Sequence, residues 1–148
     1  MIPKPYYSLI NTSKGQDPAV VVVNTALRSF EHREAFPWHL RLTIECKALA
    51  ANGMPTAEEV AVLERFEECV TEVLQRNDNA TFLARVTCRG ERDLIYRVQD
   101  PEIANDFLQS FVSEASHLRE WDYRMEHDSD WTLAQPELRL IERDPRLS

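Results

Sequence analysis

Residues 80–98 read ATFLARVTCRGERDLIYRV, and no other segment constrains the fold as strongly. Two runs of period-two alternation flank Arg89-Gly90. Phe82, Ala84, Val86 and Cys88 share one side of the first, and Leu94, Tyr96 and Val98 share one side of the second. That period is the mark of a strand with one buried face. A glycine at the junction supplies the positive φ of a tight hairpin. A chain carrying this hairpin builds an antiparallel sheet. The hydroxyl, thiol, acids and tyrosine of the stretch then have a structural explanation. Cys88 and Tyr96 fall on core parity, and the arginines are assigned to solvent or to an open sheet face.

The flanking sequence supplies the partners of the hairpin. From His39 to Ala48, Leu40, Leu42, Ile44, Cys46 and Ala48 alternate with Arg41, Thr43, Glu45 and Lys47, which predicts a strand. Asn52-Gly53 marks a turn. Thr56 with Glu59 three residues on reads as a capping box, each side chain serving a backbone N–H at the open end of a helix. Val62, Leu63, Phe66, Cys69, Val70, Val73 and Leu74 then form one helical face through about Arg76. Asp100-Pro101 opens a second helix, with Asp100 as its cap. Its predicted buried stripe is Ile103, Phe107, Phe111, Ala115 and Leu118. Trp121, Tyr123 and Met125 alternate through a last strand. Upstream, Ala19–Asn24 predicts a strand, Tyr6 to Ile10 a short one, and 25–38 a long connection.

The order strand, helix, strand, strand, helix, strand predicts an α+β fold of ferredoxin-like (split βαβ) type. Both helices lie on one face of an antiparallel sheet, with one or two extra N-terminal strands. The 148 residues form a single domain of ordinary size. It divides into an N-terminal strand extension (1–38), the ferredoxin-like core (39–135) and a charged tail (136–148). That tail is expected to be loosely ordered or to cross the surface.

Acids outnumber bases 25 to 17, for a net charge of −8. This opposes general binding to a phosphate backbone, so no nucleic acid is expected, and it suits a basic protein partner. The longest strongly apolar run, Ala19 to Val23, is far too short to span a bilayer. The N-terminus has no apolar region of the secretory kind, so no membrane role is expected. Three cysteines at wide spacing make no disulfide framework and no metal motif, which predicts a reduced, cytoplasmic setting. Gly15, Gly53 and Gly90 stand alone, so there is no phosphate-cradling loop or dinucleotide fingerprint, and no cofactor is implied.

Three stretches carry a further resemblance: NGMPTAEEVAVLERFE, ATFLARVTCRGERDLIYRVQD and the late EHDSDW. Together they resemble the bacterial domain of unknown function 695 family. The residues that carry the likeness are Gly53, Pro55, Thr56 and Glu59, then Thr87, Gly90, Arg92, Asp93 and Tyr96, then Asp130 and Trp131. It extends over most of the chain, roughly Tyr6 to Pro136. The resemblance implies a fold and no established activity. By size and layout the chain is also similar to the regulator of ribonuclease E activity B, a small acidic inhibitor that binds its enzyme. From that similarity comes only the idea of an acidic binding module.

Several groups are candidates for function. Glu64, Glu68 and Glu72 lie one turn apart opposite the core face, with Glu67 beside them. They form either a solvated face or a docking stripe for a basic partner. The like-charge cost at such spacing, about 0.2–0.5 kcal/mol per pair, is small enough to be tolerated in either case. Arg41, Arg85, Arg97 and Arg124 take the outward parity of four strands, beside Glu45, Asp93, Asp122 and Glu126. This face lacks the stacking aromatics of an RNA-binding sheet. It reads as a salt-bridged surface or as an anion pocket. His127, Asp128, Asp130 and Trp131 form either a capping turn or a metal or acid–base site. Cys46, Cys69 and Cys88 fall on apolar faces, where a thiol packs as a small hydrophobe.

The favoured reading is a protein-binding or regulatory module without catalytic residues, metal or cofactor, using Glu64, Glu68 and Glu72. The alternative is an enzyme holding a small anionic substrate on Arg85, Arg92 and Arg97, with His127 or Asp130 moving protons. Uncovered sheet edges would also permit homo-oligomers.

Overall fold

A computed structural model describes residues 2–113 and 119–143. The elements are β1 (Tyr7–Lys14), β2 (Asp17–Asn24), β3 (Trp38–Glu45), α1 (Ala57–Leu74), β4 (Ala80–Cys88), β5 (Glu91–Val98), α2 (Pro101–Ser113), β6 (Trp121–His127) and α3 (Gln135–Arg143). The fold is α+β. Its six strands form one sheet in the order β1-β2-β4-β5-β3-β6, and every neighbouring pair is antiparallel. No helix among the described residues is long and apolar enough to cross a membrane.

The predicted hairpin is present. Arg89 and Gly90 both have positive φ, 54° and 76°, as a two-residue turn matched to strand twist requires. Arg89 also ties this turn to the neighbouring β1–β2 hairpin. Its Nε donates to Asp17 at 2.6 Å and its Nη2 donates to the Lys14 carbonyl at 3.0 Å.

One face of the sheet carries α1 and α2. Leu40, Leu42 and Ile44 of β3 and Leu94, Tyr96 and Val98 of β5 pack there against Leu63, Val70 and Leu74 of α1 and Ala104 and Leu108 of α2. On the opposite face Val21, Val23, Leu83, Val86 and Ile95 pack beneath Leu27, Phe30, Phe36, Trp131, Leu138 and Ile141. The middle of the sheet is therefore covered on both sides.

Three local expectations are corrected first. Residues 135–143 are not a loose tail but a helix. Ala134, Leu138 and Ile141 recur at helical spacing and are buried, a stripe hidden in the sequence by the charges around it. In β4 the register shifts between Phe82 and Ala84, so the alternation does not keep one face. Phe82 packs toward α1 and α2, while Ala84 and Val86 pack on the other side. As a result Arg85 and Thr87 face α1. In α2, Ile103 is 60% exposed, and Ala104 and Leu108 hold the core contact instead. The predicted Ala115 and Leu118 lie outside the described residues.

The capping box is only half formed. Thr56 accepts from the Glu59 amide at 3.3 Å, but the Thr56 amide donates to the Ala48 carbonyl. The Glu59 carboxylate is drawn instead to Arg119 and to the Lys47 amide. Asp100 does cap α2, accepting from the Glu102 amide at 2.9 Å.

Candidate functional site

The helix layer ends at β4. No residue of β1 or β2 belongs to the apolar cluster beneath α1 and α2. Register places Leu9, Val22 and Arg85 in one row across β1, β2 and β4. Arg85 bonds to Glu67 of α1, so this row lies on the α1 side of the sheet. Tyr7 shares the face, with its ring edge-on to Phe82 at 5.8 Å between centroids. Tyr7 and Leu9 remain 54% and 51% exposed, and Val20 and Val22 are half-buried. The result is an apolar shelf on the β1–β2 wing beside α1.

The wall of that shelf is acidic. Glu67 holds Arg85 through two hydrogen bonds, 2.7 Å to Nε and 2.8 Å to Nη2. Those bonds, with the nearby Glu64 and Glu67 charges, raise the Arg85 pKa despite its burial. Glu64, Glu68 and Glu72 are exposed, and Glu72 makes a 4.0 Å contact with Arg76 one turn on. Helical spacing puts these glutamates on one exposed stretch of α1. It gives no sign that an apolar surface lies beside them, because the shelf comes from β1 and β2, distant in the chain.

The three arginines proposed to share an anion do not meet. Arg85 and Arg92 lie on the α1 side, and Arg97 lies on the opposite side of β5. Arg92 is buried, donating from Nε to Thr87 at 3.1 Å. Burial and the neighbouring Arg85 lower its pKa.

Arg97 is fully buried at the centre of a polar knot. Its Nε donates to the Phe36 carbonyl, Nη1 to Asp128 Oδ2 at 2.9 Å, and Nη2 to the Asp128 carbonyl at 2.6 Å. The guanidinium lies 4.5 Å from the centre of the Trp131 ring, itself fully buried. Trp131 donates from Nε1 to the Arg33 and Phe36 carbonyls. Asp128 also accepts from the Thr132 and Leu133 amides, capping the turn that leads into α3. Burial alone would raise the Asp128 pKa, but the Arg97 hydrogen bond and these amides hold it below the usual carboxylate range. Asp128 and Trp131 are thus structural joints. His127 and Asp130 are both exposed, and His127 stands edge-on to Trp38.

Among the described residues no group of three or more His, Cys, Asp or Glu is placed to hold a metal ion. All three cysteines are unpaired. Cys88 is buried as expected, but Cys69 is exposed on α1 rather than in the core.

A family model described as a family of unknown function, DUF695, matches residues 8–134. The chain belongs to this family. No curated protein and no solved structure matches it.

In this DUF695 chain, most of the residues that carried the resemblance lie where elements join. Glu59 is buried and pairs with Arg119, with Nε–Oε2 at 2.7 Å, and also accepts from the Lys47 amide. The Arg119 hydrogen bond is the main cause of a carboxyl pKa near 2. Tyr96 bonds to Thr71 at 2.6 Å, joining β5 to α1. Asp93 holds Arg41 of the neighbouring strand. Thr87 and Arg92 bond across the hairpin, and Gly90 makes its turn. In this chain these residues tie the elements of the fold together.

Proposed function

We propose that this chain is a non-catalytic, cytoplasmic protein-binding module of ferredoxin-like core, and that its occupant is a basic protein segment bearing apolar side chains. The order β4-β5-β3-β6, with α1 and α2 on one face, supports the split βαβ reading of that core. Three unpaired thiols suit a reducing compartment. The observation that carries the functional reading is the exposed Tyr7–Leu9 shelf lying directly beside the acidic wall of α1.

An apolar patch flanked by one sign of charge favours a partner with the complementary pairing. Lysines or arginines of that partner would meet Glu64, Glu68 and Glu72, and its apolar groups would cover Tyr7, Leu9, Val20 and Val22. The net charge of −8 would steer a basic partner toward the domain as a whole. The similarity to a small acidic inhibitor noted in the sequence points the same way by analogy.

The test is affinity capture from a lysate of the source organism at low and high salt, followed by titration of the captured protein. Wild type is compared with Glu64→Lys/Glu68→Lys/Glu72→Lys and with Tyr7→Ser/Leu9→Ser. Binding weakened at least tenfold in both variants, and by salt, is the expected result. Undiminished affinity in the folded triple variant, or capture of nothing but a second copy of this chain, overturns the reading.

A further inference from the structure

On the side of the sheet opposite α1, the covering provided by α3 leaves part of β3 and β6 open. A groove of about 480 Å³ remains there, floored by β3 and β6 and walled by the turn that leads into α3. That size lies in the range of small-molecule sites, about 300–1,000 Å³. Three cross-strand pairs make its floor: His39 with Glu126, Arg41 with Arg124, and Thr43 with Asp122.

His39 is only 6% exposed yet lines the groove. Its Nδ1 lies 3.2 Å from Arg97 Nη1. A guanidinium can only donate, so Nδ1 accepts and the ring proton sits on Nε2. Nε2 has no partner among the described residues, so its N–H is what the ring offers to the groove. Burial and the Arg97 charge keep this imidazole neutral down to about pH 4.

The two arginines differ. Arg41 is neutralised by Asp93, bonding at 2.9 and 2.6 Å, and approaches Glu137 at 3.8 Å. Arg124 stands directly opposite and makes no ion pair with a described residue. Like charges directly opposed across a sheet are unfavourable without compensation. On its own strand Arg124 is flanked, on the same face, by Asp122 and Glu126. Alternate residues of a strand stand roughly 7 Å apart.

We propose that this groove binds a small zwitterion of the α-amino-acid type. The ligand carboxylate takes the Arg124 guanidinium and the His39 Nε2–H, and its ammonium takes Glu126 or Asp122. The acids on both sides of Arg124 disfavour a phosphate or another polyanion. The Arg124 guanidinium disfavours a simple amine. Only a ligand carrying both charges at short separation complements the whole floor. This site is independent of the α1 shelf and stands or falls separately from it.

The test titrates each proteinogenic amino acid into the ¹⁵N-labelled full chain, with acetate, methylammonium and inorganic phosphate as probes that carry charge of one sign. At least one amino acid is expected to move the amide signals of residues 39–43 and 122–126 saturably. The probes of one sign are expected to leave them in place. Arg124→Met, at an exposed strand position, is expected to weaken that binding at least tenfold with the rest of the spectrum unchanged. Saturable binding of acetate or phosphate as tight as that of any amino acid overturns the proposal. So does an unchanged affinity in Arg124→Met, or the absence of any shift at millimolar ligand.

Discussion

Arg97 of β5 and Asp128, one residue past β6, form an ion pair of 2.9 Å, with the Arg97 side chain wholly buried beneath Trp131. The pair spans the strand between them, β3, and fixes the start of the segment that becomes α3. Removing one member leaves the other charge buried and unmatched, which costs about 3–5 kcal/mol. Asp128→Ala is therefore expected to lower the unfolding free energy by that amount in urea titration. Arg97→Met combined with Asp128→Ala is expected to cost less than the sum of the two single changes, since both remove one interaction. A loss under about 1 kcal/mol in Asp128→Ala would mean that Arg97 does not depend on this carboxylate.

Acid is expected to unfold the protein in two overlapping windows. His39 has a folded pKa near 4 against an ordinary value of 6.5, lowered by burial and by Arg97. Glu59 lies near 2 against 4.5, chiefly because of Arg119. For both groups the unfolded chain takes up its proton first, so stability falls as pH falls. His39 contributes the loss between about pH 6.5 and 4, and Glu59 the loss between about 4.5 and 2. Glu137 runs the other way. Burial raises its folded pKa, so it favours the native state at low pH and costs stability as pH rises through that value. Urea midpoints measured across this range check the assignment. His39→Gln should flatten the upper window and Glu59→Gln the lower one. An unaltered slope in either variant would assign its window to another group.

The Arg89-Gly90 turn should tolerate little change. Gly90 has φ +76°, and a Cβ there would meet Leu49 Cδ1 at 3.3 Å. A non-glycine residue held in the left-handed region costs about 1–2 kcal/mol. Gly90→Ala is expected to lose at least that much stability by thermal or urea unfolding. Gly53→Ala is also strained by its φ of +82° but meets nothing within 4 Å, so it should lose less.

The elements carried by one clear period were legible in the sequence. The 80–98 hairpin, the strand from residue 38 and the two helices starting near 57 and 101 all follow from apolar spacing and end signals. What escaped came from contacts distant in the chain. The extra residue in β4 turned Arg85 toward α1, and a bulge leaves no trace in composition. Arg97 was assigned to an open face because α3, which helps close that face, looked like a charged tail. Its signal was present in Ala134, Leu138 and Ile141, at helical spacing after a fully buried tryptophan. Glu59 looked like a capping residue, and only the approach of Arg119, 60 residues on, made it an ion-pair partner. His39 looked like the first residue of a strand. Its unpartnered N–H depends on Arg97 lying beneath it.

Four glutamates of α1 differ in what they contribute to the fold. Glu64, Glu68 and Glu72 are exposed, and among the described residues their only ion pair is the 4.0 Å contact of Glu72 with Arg76. Substitution at such sites usually changes stability by no more than about 0.5 kcal/mol. Glu67 is different, because its two hydrogen bonds to Arg85 are in a half-buried setting beside Arg92. Hydrogen bonds to charged groups contribute roughly 1.5–3 kcal/mol. Glu67→Ala is therefore expected to destabilise by about 1–3 kcal/mol, since it leaves two neighbouring guanidinium groups uncompensated. Glu64→Ala, Glu68→Ala and Glu72→Ala should each unfold at nearly the wild-type urea concentration. If Glu67→Ala proves as silent as these three, the Arg85 pair is not a structural contact, and Glu67 joins the surface available to a partner.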